Sequence, residues 1–165
     1  MAQTVSRHNA RLARQTQSQQ QPSRECNCTG GEPCPVGGKC LNGQVVYRAK
    51  VTANNNTEYY TGMTGNTFKE RVNKHNSDFR NTNSKHSTTL STHIWDLNGR
   101  NIDYDLDWSL VDKAPTFNHT TGQCRLCNKE KCYIIFDPES ANLNDRTELY
   151  SICRQRLRNL LSKVR

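Results

Sequence analysis

The sequence predicts a small α+β domain in which a three-stranded antiparallel sheet is flanked by helices and preceded by a cysteine-rich extension. In residues 45–51 (VVYRAKV) every odd position is apolar, which is the period-2 pattern of a half-buried strand. From Phe68 onward, apolar side chains recur instead at helical spacing. Four cysteines lie within residues 26–40, a stretch that could not form a core without a staple.

Length and composition bound the class of protein. The chain has 165 residues, of which 33% are hydrophobic, and a mean hydropathy of -0.93, which leaves room for one compact domain with unstructured tails. No stretch approaches the roughly 18 consecutive apolar residues of a membrane helix, and the first residues contain no apolar run. We therefore expect a nuclear or otherwise intracellular protein, neither secreted nor membrane-bound, and not a large multidomain enzyme.

The first half of the domain predicts a hairpin and a helix. Asparagines at 54–56 favour a turn, which joins the first strand to a second over residues 58–61 as a β-hairpin. A helix of about 12 residues follows, with one apolar face and with Asn66 or Thr67 as its N-cap.

The second half predicts three more helices and one strand. A helix over 87–97 ends at Asn98-Gly99, and a strand over 104–110 alternates apolar with polar residues. A third helix over 125–136 stops before Asp137-Pro138, and a last, basic helix starts at Asn144 or Asp145. The chain then divides into a disordered, basic, glutamine-rich tail (1–25), a cysteine-rich zinc element (26–43), the folded domain (44–145) and a basic C-terminal helix (146–165).

Positive charge is concentrated at both ends of the chain. The formal net charge is +8, residues 1–25 hold four arginines against one glutamate, and residues 146–165 hold six basic residues against one acidic residue. The middle of the chain is neutral, which suits a folded domain held against a polyanion. Tails that only aid solubility are the alternative. The candidate nucleic-acid-binding residues are Arg154, Arg156 and Arg158.

Two groups of cysteines have the spacing of metal ligands. Cys26, Cys28, Cys34 and Cys40 offer four thiolates immediately before the hairpin, which suits a tetrahedral structural Zn²⁺ that would order this segment. The alternative is a flexible linker with reduced, free cysteines.

The second group opens the third predicted helix. Cys124 and Cys127 have the spacing of a zinc knuckle, and Cys153 and His119 are the candidate third and fourth ligands. We expect Cys132, on the same helix, to be a packed thiol.

Three aspartates of the third strand, Asp103, Asp105 and Asp107, point the same way. They could bind a metal, as paired carboxylates do in other nucleases. We favour the alternative that they form the solvent face of an amphipathic strand.

Residues with candidate catalytic side chains lie on the hairpin and in the elements that follow it. The first strand carries Val45-Val46-Tyr47 and the second carries Tyr60-Thr61-Gly62, with 12 residues between the two tyrosines. Arg71 and His75 then share one side of the first helix. His86, Glu130 and Asn144 come later. From residue 45 to residue 144 this order resembles the GIY-YIG endonuclease family, with Val-Val-Tyr and Tyr-Thr-Gly in place of the two signature tripeptides and a slightly longer gap between them.

The resemblance implies a set of site residues in this chain. The family's two tyrosines, its glycine, its helical arginine, its metal-binding glutamate and its late asparagine fall on Tyr47, Tyr60, Gly62, Arg71, Glu130 and Asn144. His75 and His86 match positions that carry histidines in some members.

The resemblance also implies hydrolysis of DNA phosphodiester bonds with one Mg²⁺ or Mn²⁺ ion. Glu130 would be its carboxylate ligand. Tyr47 would take the proton from the attacking water, directly or through a relay. Arg71 and the metal would stabilise that phenolate, and Arg71 would also grip the phosphate. Tyr60 and His75 would donate hydrogen bonds to the phosphate, while Asn144 would hold the framework near the metal.

A cysteine-rich element before such a domain resembles the endonuclease modules of transposable elements, notably Penelope-like retroelements. This implies DNA as a partner and a fused or associated transposon protein; the oligomeric state stays open. Two alternatives remain. One is a catalytically inactive nucleic-acid-binding module on the same fold, and the other is a zinc-dependent interaction module whose tyrosines are core residues.

Overall fold

The protein is described here by a computed structural model covering residues 25–28, 33–118, 124–145, 152–153 and 158–159. It is an α+β fold built on a three-stranded antiparallel sheet with helices on both faces, which confirms the predicted fold class. Within the described residues, no helix is long and apolar enough to cross a membrane.

The sheet consists of β1 (Val45–Ala53), β2 (Asn56–Thr64) and β3 (Asp105–Lys113), with β1 in the centre. Asn54 and Asn55 both adopt positive φ, which matches the two-residue hairpin turn that fits the twist of paired strands. All nine residues of β2 pair with β1. The second strand is therefore longer than its predicted four residues.

The helices are α1 (Phe68–Asp78), α2 (Thr89–Gly99) and α3 (Arg125–Phe136). Thr67 caps α1 through a capping box with Glu70, as one of the two predicted N-caps. The third helix has its predicted bounds. It is followed by a 3-10 turn, Pro138–Ala141.

The sheet separates two hydrophobic cores, and adjacent residues of β1 point into different ones. Tyr47 points into a core beneath α1 and α2, whereas Val46 points to the opposite face, into a core beneath α3. The first core includes Val45, Ala49, Val51, Phe68, Val72, Leu90, Ile94 and Leu97, and the second includes Ala114, Cys124, Leu126, Cys127 and Cys153. The sheet therefore has helices on both faces, and its two faces carry different residues of the candidate site.

The prediction of a C-terminal helix is wrong at the four described residues of this region. Ile152–Cys153 forms strand β4 and pairs antiparallel with Arg158–Asn159, strand β5. Cys153 is buried against Cys124 and Cys127 in the second core, and this tertiary packing overrides the local helical pattern. Residues 1–24, most of 146–165 (including Arg154 and Arg156) and His119 lie outside the described residues.

Candidate active site and cysteine clusters

Tyr47, Arg71 and His75 form a hydrogen-bonded cluster between the centre of the sheet and α1. Arg71 Nε donates to the hydroxyl of Tyr47 across 2.8 Å, and His75 Nε2 lies 2.8 Å from the same hydroxyl. Arg71 and His75 are four residues apart, so they lie on the same side of the helix. The structure thus joins three of the predicted catalytic residues at one oxygen atom.

Tyr60 and Gly62 complete this cluster from β2. The Tyr60 ring lies 6.5 Å from the Tyr47 ring, measured between centroids, and Gly62 faces Tyr47 across the strand pair. A β-carbon at Gly62 would meet the hydroxyl oxygen of Tyr47 at 2.6 Å and the Tyr60 ring at 2.8 Å. Only glycine, which has no side chain, leaves room for both rings at this position.

The pKa values of Arg71 and His75 are shifted in opposite directions. Burial opposes the charge of Arg71, but the phenol oxygens of Tyr47 and Tyr60 raise the pKa of Arg71 above its ordinary value. Burial, followed by the charge of Arg71, lowers the pKa of His75 to about 3. At neutral pH the cluster therefore pairs a charged guanidinium with an uncharged imidazole.

Aromatic rings enclose His75 and Tyr47. Trp108 lies 5.3 Å from the His75 ring, and Phe68 stacks on Tyr47 at 5.4 Å, both between centroids. Tyr47 and His75 have no exposed surface, whereas Arg71 is partly exposed. The helical spacing that begins at Phe68 and the alternation in residues 104–110 predict that Phe68 and Trp108 face inward. They do not predict that these two rings enclose the cluster.

Glu130 lies on α3, which packs on the opposite face of the sheet from Tyr47. It is 8% exposed and forms an ion pair of 3.1 Å with Lys131, itself 6% exposed. Two adjacent buried charges on one helix are unusual, since lysine and glutamate are seldom buried unless paired. Sequence analysis did not single out Lys131, because a helical lysine ordinarily faces solvent.

Asn144 holds β2 rather than belonging to a helix. Its amide accepts from the N–H of Thr61 at 2.8 Å and donates to the carbonyl of the same residue at 2.7 Å. Asn142 accepts from the N–H of Tyr59 at 2.6 Å. The structure therefore places Asn144 beside the strand that carries Tyr60 and Gly62.

The described hydrogen bond of His86 is to Thr92 and not to a residue of the tyrosine cluster. His86 is exposed, in the turn before α2, and its Nδ1 lies 3.3 Å from the hydroxyl of Thr92. The aspartates 103, 105 and 107 are also exposed and alternate with partly buried residues, as the amphipathic-strand alternative predicts.

The four N-terminal cysteines converge. The sulfurs of Cys26, Cys28, Cys34 and Cys40 all lie within 4.8 Å of one another, although up to 14 residues separate them in sequence. Burial opposes ionisation of Cys34, but hydrogen bonds from the backbone of Val36 and Gly38 lower its pKa to about 7. Four sulfurs at this spacing are compatible with a structural zinc site.

The second cysteine group also assembles. The sulfurs of Cys124, Cys127 and Cys153 are all buried and lie within 4.8 Å of one another, and burial raises the pKa of the Cys127 thiol. This group is likewise compatible with zinc. The prediction for Cys132 is wrong, because this thiol is exposed. The inward face of α3 is formed by residues 126, 127, 130 and 131, which turns position 132 outward.

No protein-family model, curated protein or solved structure matches this chain.

Proposed function

We propose that the protein is a metal-dependent endonuclease that hydrolyses DNA phosphodiester bonds. The observation that carries the proposal is the single oxygen shared by Tyr47, Arg71 and His75, with Tyr60 and Gly62 packed beside it. The residue types match what hydrolysis of a phosphodiester requires, namely a proton acceptor and a cationic grip on phosphate.

The chemistry of this cluster follows from its charges. A free phenol, with a pKa of about 10, is a weak base at neutral pH because it is protonated. The guanidinium of Arg71, held 2.8 Å from the Tyr47 oxygen, would stabilise the phenolate form. Because Tyr47 has no exposed surface, the phenolate would take the proton of the attacking water through a relay. The uncharged His75, whose Nε2 lies 2.8 Å from the phenol oxygen, would hold the phenol in place. Because His75 has no exposed surface, we do not assign it the hydrogen bond to the phosphate that the resemblance implies.

Arg71 would also be the first member of the cluster to meet a phosphate. It is partly exposed, whereas Tyr47 and His75 are fully buried. A guanidinium presents several N–H donors in a plane, so Arg71 can keep the Tyr47 contact through Nε and offer its remaining N–H groups to phosphate oxygens. Substrate binding and activation of Tyr47 would then depend on the same side chain.

Glu130 would hold the Mg²⁺ or Mn²⁺ ion. Its buried carboxylate is a hard oxygen ligand of the type these ions prefer, and one carboxylate suffices when phosphate and water complete the shell. When bound, the ion would supply Lewis-acid stabilisation of charge on the phosphate. Because α3 packs across the sheet from Tyr47, this requires a phosphate that contacts both Arg71 and the side of the sheet that carries Glu130. Lys131 competes with the ion for the carboxylate, because its ammonium already lies 3.1 Å from Glu130.

The two cysteine clusters would bind structural Zn²⁺, with four thiolates in the first and three in the second. The basic ends of the chain would hold the DNA backbone. We further propose a nuclear or otherwise intracellular location and an origin in a mobile element, with a fused or associated transposon protein.

Nicking of supercoiled plasmid in Mg²⁺ or Mn²⁺ tests the proposal. Arg71→Gln and Glu130→Gln are compared with Arg80→Gln and Glu139→Gln, which make the same charge changes at exposed positions. We expect the two site variants to lose at least about 100-fold in rate, the scale of removing one electrostatic partner, and the two controls to stay near wild type. Equal nicking by Arg71→Gln and Arg80→Gln would refute the assignment.

Complete burial of Tyr47 and His75 favours the alternative of a module without catalysis, which either binds nucleic acid on the same fold or is a zinc-dependent interaction module whose tyrosines are core residues. Such a module would not nick DNA under any metal condition. If it binds nucleic acid, its affinity would fall steeply with salt, whereas an interaction module that does not grip phosphate would show no such dependence.

A further inference from the structure

The segment that contains the first cysteine cluster, residues 26–43, contacts the start of α1 through the backbone of residues 40 and 42. The amide of Phe68 donates to the carbonyl of Asn42 at 2.8 Å, and the amide of Lys69 donates to the carbonyl of Cys40 at 2.9 Å. The first amides of a helix have no partner within the helix. Here the cysteine segment supplies two acceptors, and the Thr67 side chain supplies a third through its contact with the Glu70 amide.

Side chains reinforce this backbone contact. Cys40 is fully buried and, with Val36, belongs to the core that also contains Tyr47. Lys69 Nζ lies 3.4 Å from the side-chain amide oxygen of Asn27, the residue between Cys26 and Cys28 in the sequence. A β-carbon at Gly43 would lie 3.3 Å from the Gly65 carbonyl, so the segment runs close to the loop that enters α1.

The same helix end is continuous with the candidate active site. Phe68 stacks on the Tyr47 ring, and Arg71, three residues further on, donates to the Tyr47 hydroxyl. A shift of the first turn of α1 would therefore move both residues relative to Tyr47. Cys40 links the two regions most directly, because its sulfur faces the cysteine cluster while its carbonyl accepts from the helix.

We propose that metal binding by Cys26, Cys28, Cys34 and Cys40 fixes the first turn of α1 and thereby sets the position of Arg71 against Tyr47. The zinc site is then a positioning element of the candidate active site rather than a separate module. Within the described part of this segment few apolar side chains are buried, so the free energy that orders it comes from the metal. The consequence for catalysis rests on the proposed function, whereas the structural coupling does not.

Amide hydrogen exchange on the full chain, read by NMR, tests the coupling. The Zn²⁺-loaded wild type is compared with the same protein after zinc is withdrawn with a chelator. We expect the Phe68 and Lys69 amides to exchange at least about tenfold faster without metal, while amides at the centre of β1, such as Ala49, keep their protection. The Nε–H signal of Arg71 should also exchange faster, because Arg71 would move away from its acceptor, the Tyr47 hydroxyl.

Cys153→Ser is the matched control, since it removes one thiol from the other cluster. It should leave exchange at Phe68 and Lys69 within about twofold of wild type. Unchanged exchange at these two amides after zinc withdrawal would overturn the inference. Simultaneous loss of protection at Ala49 would also overturn it, because the metal would then hold the whole domain rather than the first turn of α1.

The Cys28→Ser variant provides a second route to the metal-free segment and should reproduce the chelator result. Co²⁺ substitution followed by thiolate absorption confirms that wild type binds a metal through sulfur, and absence of that absorption would overturn the inference. These readouts do not involve DNA. Coupling without nicking would therefore refute only the proposed function, and nicking without coupling would refute only this inference.

Discussion

Replacing Gly62 with alanine would place a methyl group in the contact between the two tyrosine rings. The new β-carbon would lie 2.6 Å from the Tyr47 oxygen, 2.8 Å from its Cζ atom and 2.8 Å from the Tyr60 ring. Neither ring can move freely, because both are buried and Tyr47 is stacked on Phe68. The strain must therefore be taken up by the backbone of β2 or by displacement of the Tyr47 hydroxyl.

The expected loss of stability follows from these two routes. Overpacking a well-filled core costs about 1–3 kcal/mol, and loss of one hydrogen bond at the Tyr47 hydroxyl adds about 1 kcal/mol. We therefore expect Gly62→Ala to lower the free energy of unfolding by roughly 2–4 kcal/mol, a large share of the 5–15 kcal/mol typical of a domain. Displacement of the hydroxyl would also weaken the Arg71 contact and, if the proposed function holds, the nicking activity.

Urea unfolding of wild type, Gly62→Ala and Gly99→Ala measures this effect. Gly99 is the last residue of α2, and a β-carbon there would meet nothing within 4 Å. The control should stay within about 0.5 kcal/mol of wild type, as surface substitutions usually do. If Gly62→Ala is as stable as Gly99→Ala, the close approach of the two rings to β2 is refuted.

Three further outcomes are expected. The pKa of His75 is lowered to about 3 in the folded protein. The contribution of the uncharged imidazole to stability is therefore full above the unfolded pKa of about 6.5 and is lost as pH falls toward 3. In an NMR titration the ring signals of His75 should stay constant from pH 8 to about 5, and a titration midpoint near 6.5 would contradict this. Asn144→Ala removes both amide hydrogen bonds to the Thr61 backbone and should cost about 1–3 kcal/mol in urea unfolding; no loss would show that water replaces the amide. Lys131→Met removes the ammonium beside Glu130 and should raise Mn²⁺ affinity about tenfold in an EPR titration, since a competing positive charge is removed; unchanged affinity would argue against Glu130 as the ligand.

Regular patterns in the sequence predicted the elements that depend on one periodicity. The alternation in residues 45–51 placed Tyr47 on the inner face of β1, and the apolar face after Thr67 placed Arg71 and His75 together on α1. The meeting of these three side chains follows from those placements. The need for glycine at position 62 becomes clear only when the register shows Tyr47 opposite it.

Tertiary context decided the features that the sequence did not predict. Of the neighbouring residues 131 and 132 on α3, Lys131 is buried and Cys132 is exposed, the reverse of what hydrophobicity favours. Lys131 can be buried because Glu130 supplies a buried partner of opposite charge. At the C-terminus, burial of Cys153 beside two distant cysteines selects a strand where the local pattern indicates a helix. The carbonyl contacts from Cys40 and Asn42 to α1 carry no side-chain signature that a sequence could show.

The asparagine contacts to β2 have a consequence for assembly. The outer strand of a sheet normally presents unpaired N–H and C=O groups that invite another chain to pair with it. Here Asn142 and Asn144 satisfy those groups at Tyr59 and Thr61, and the Leu143 amide donates to the Tyr59 carbonyl. A second copy of the protein cannot extend the sheet at this border unless residues 142–144 first withdraw, so self-association by strand addition is blocked next to the tyrosine cluster.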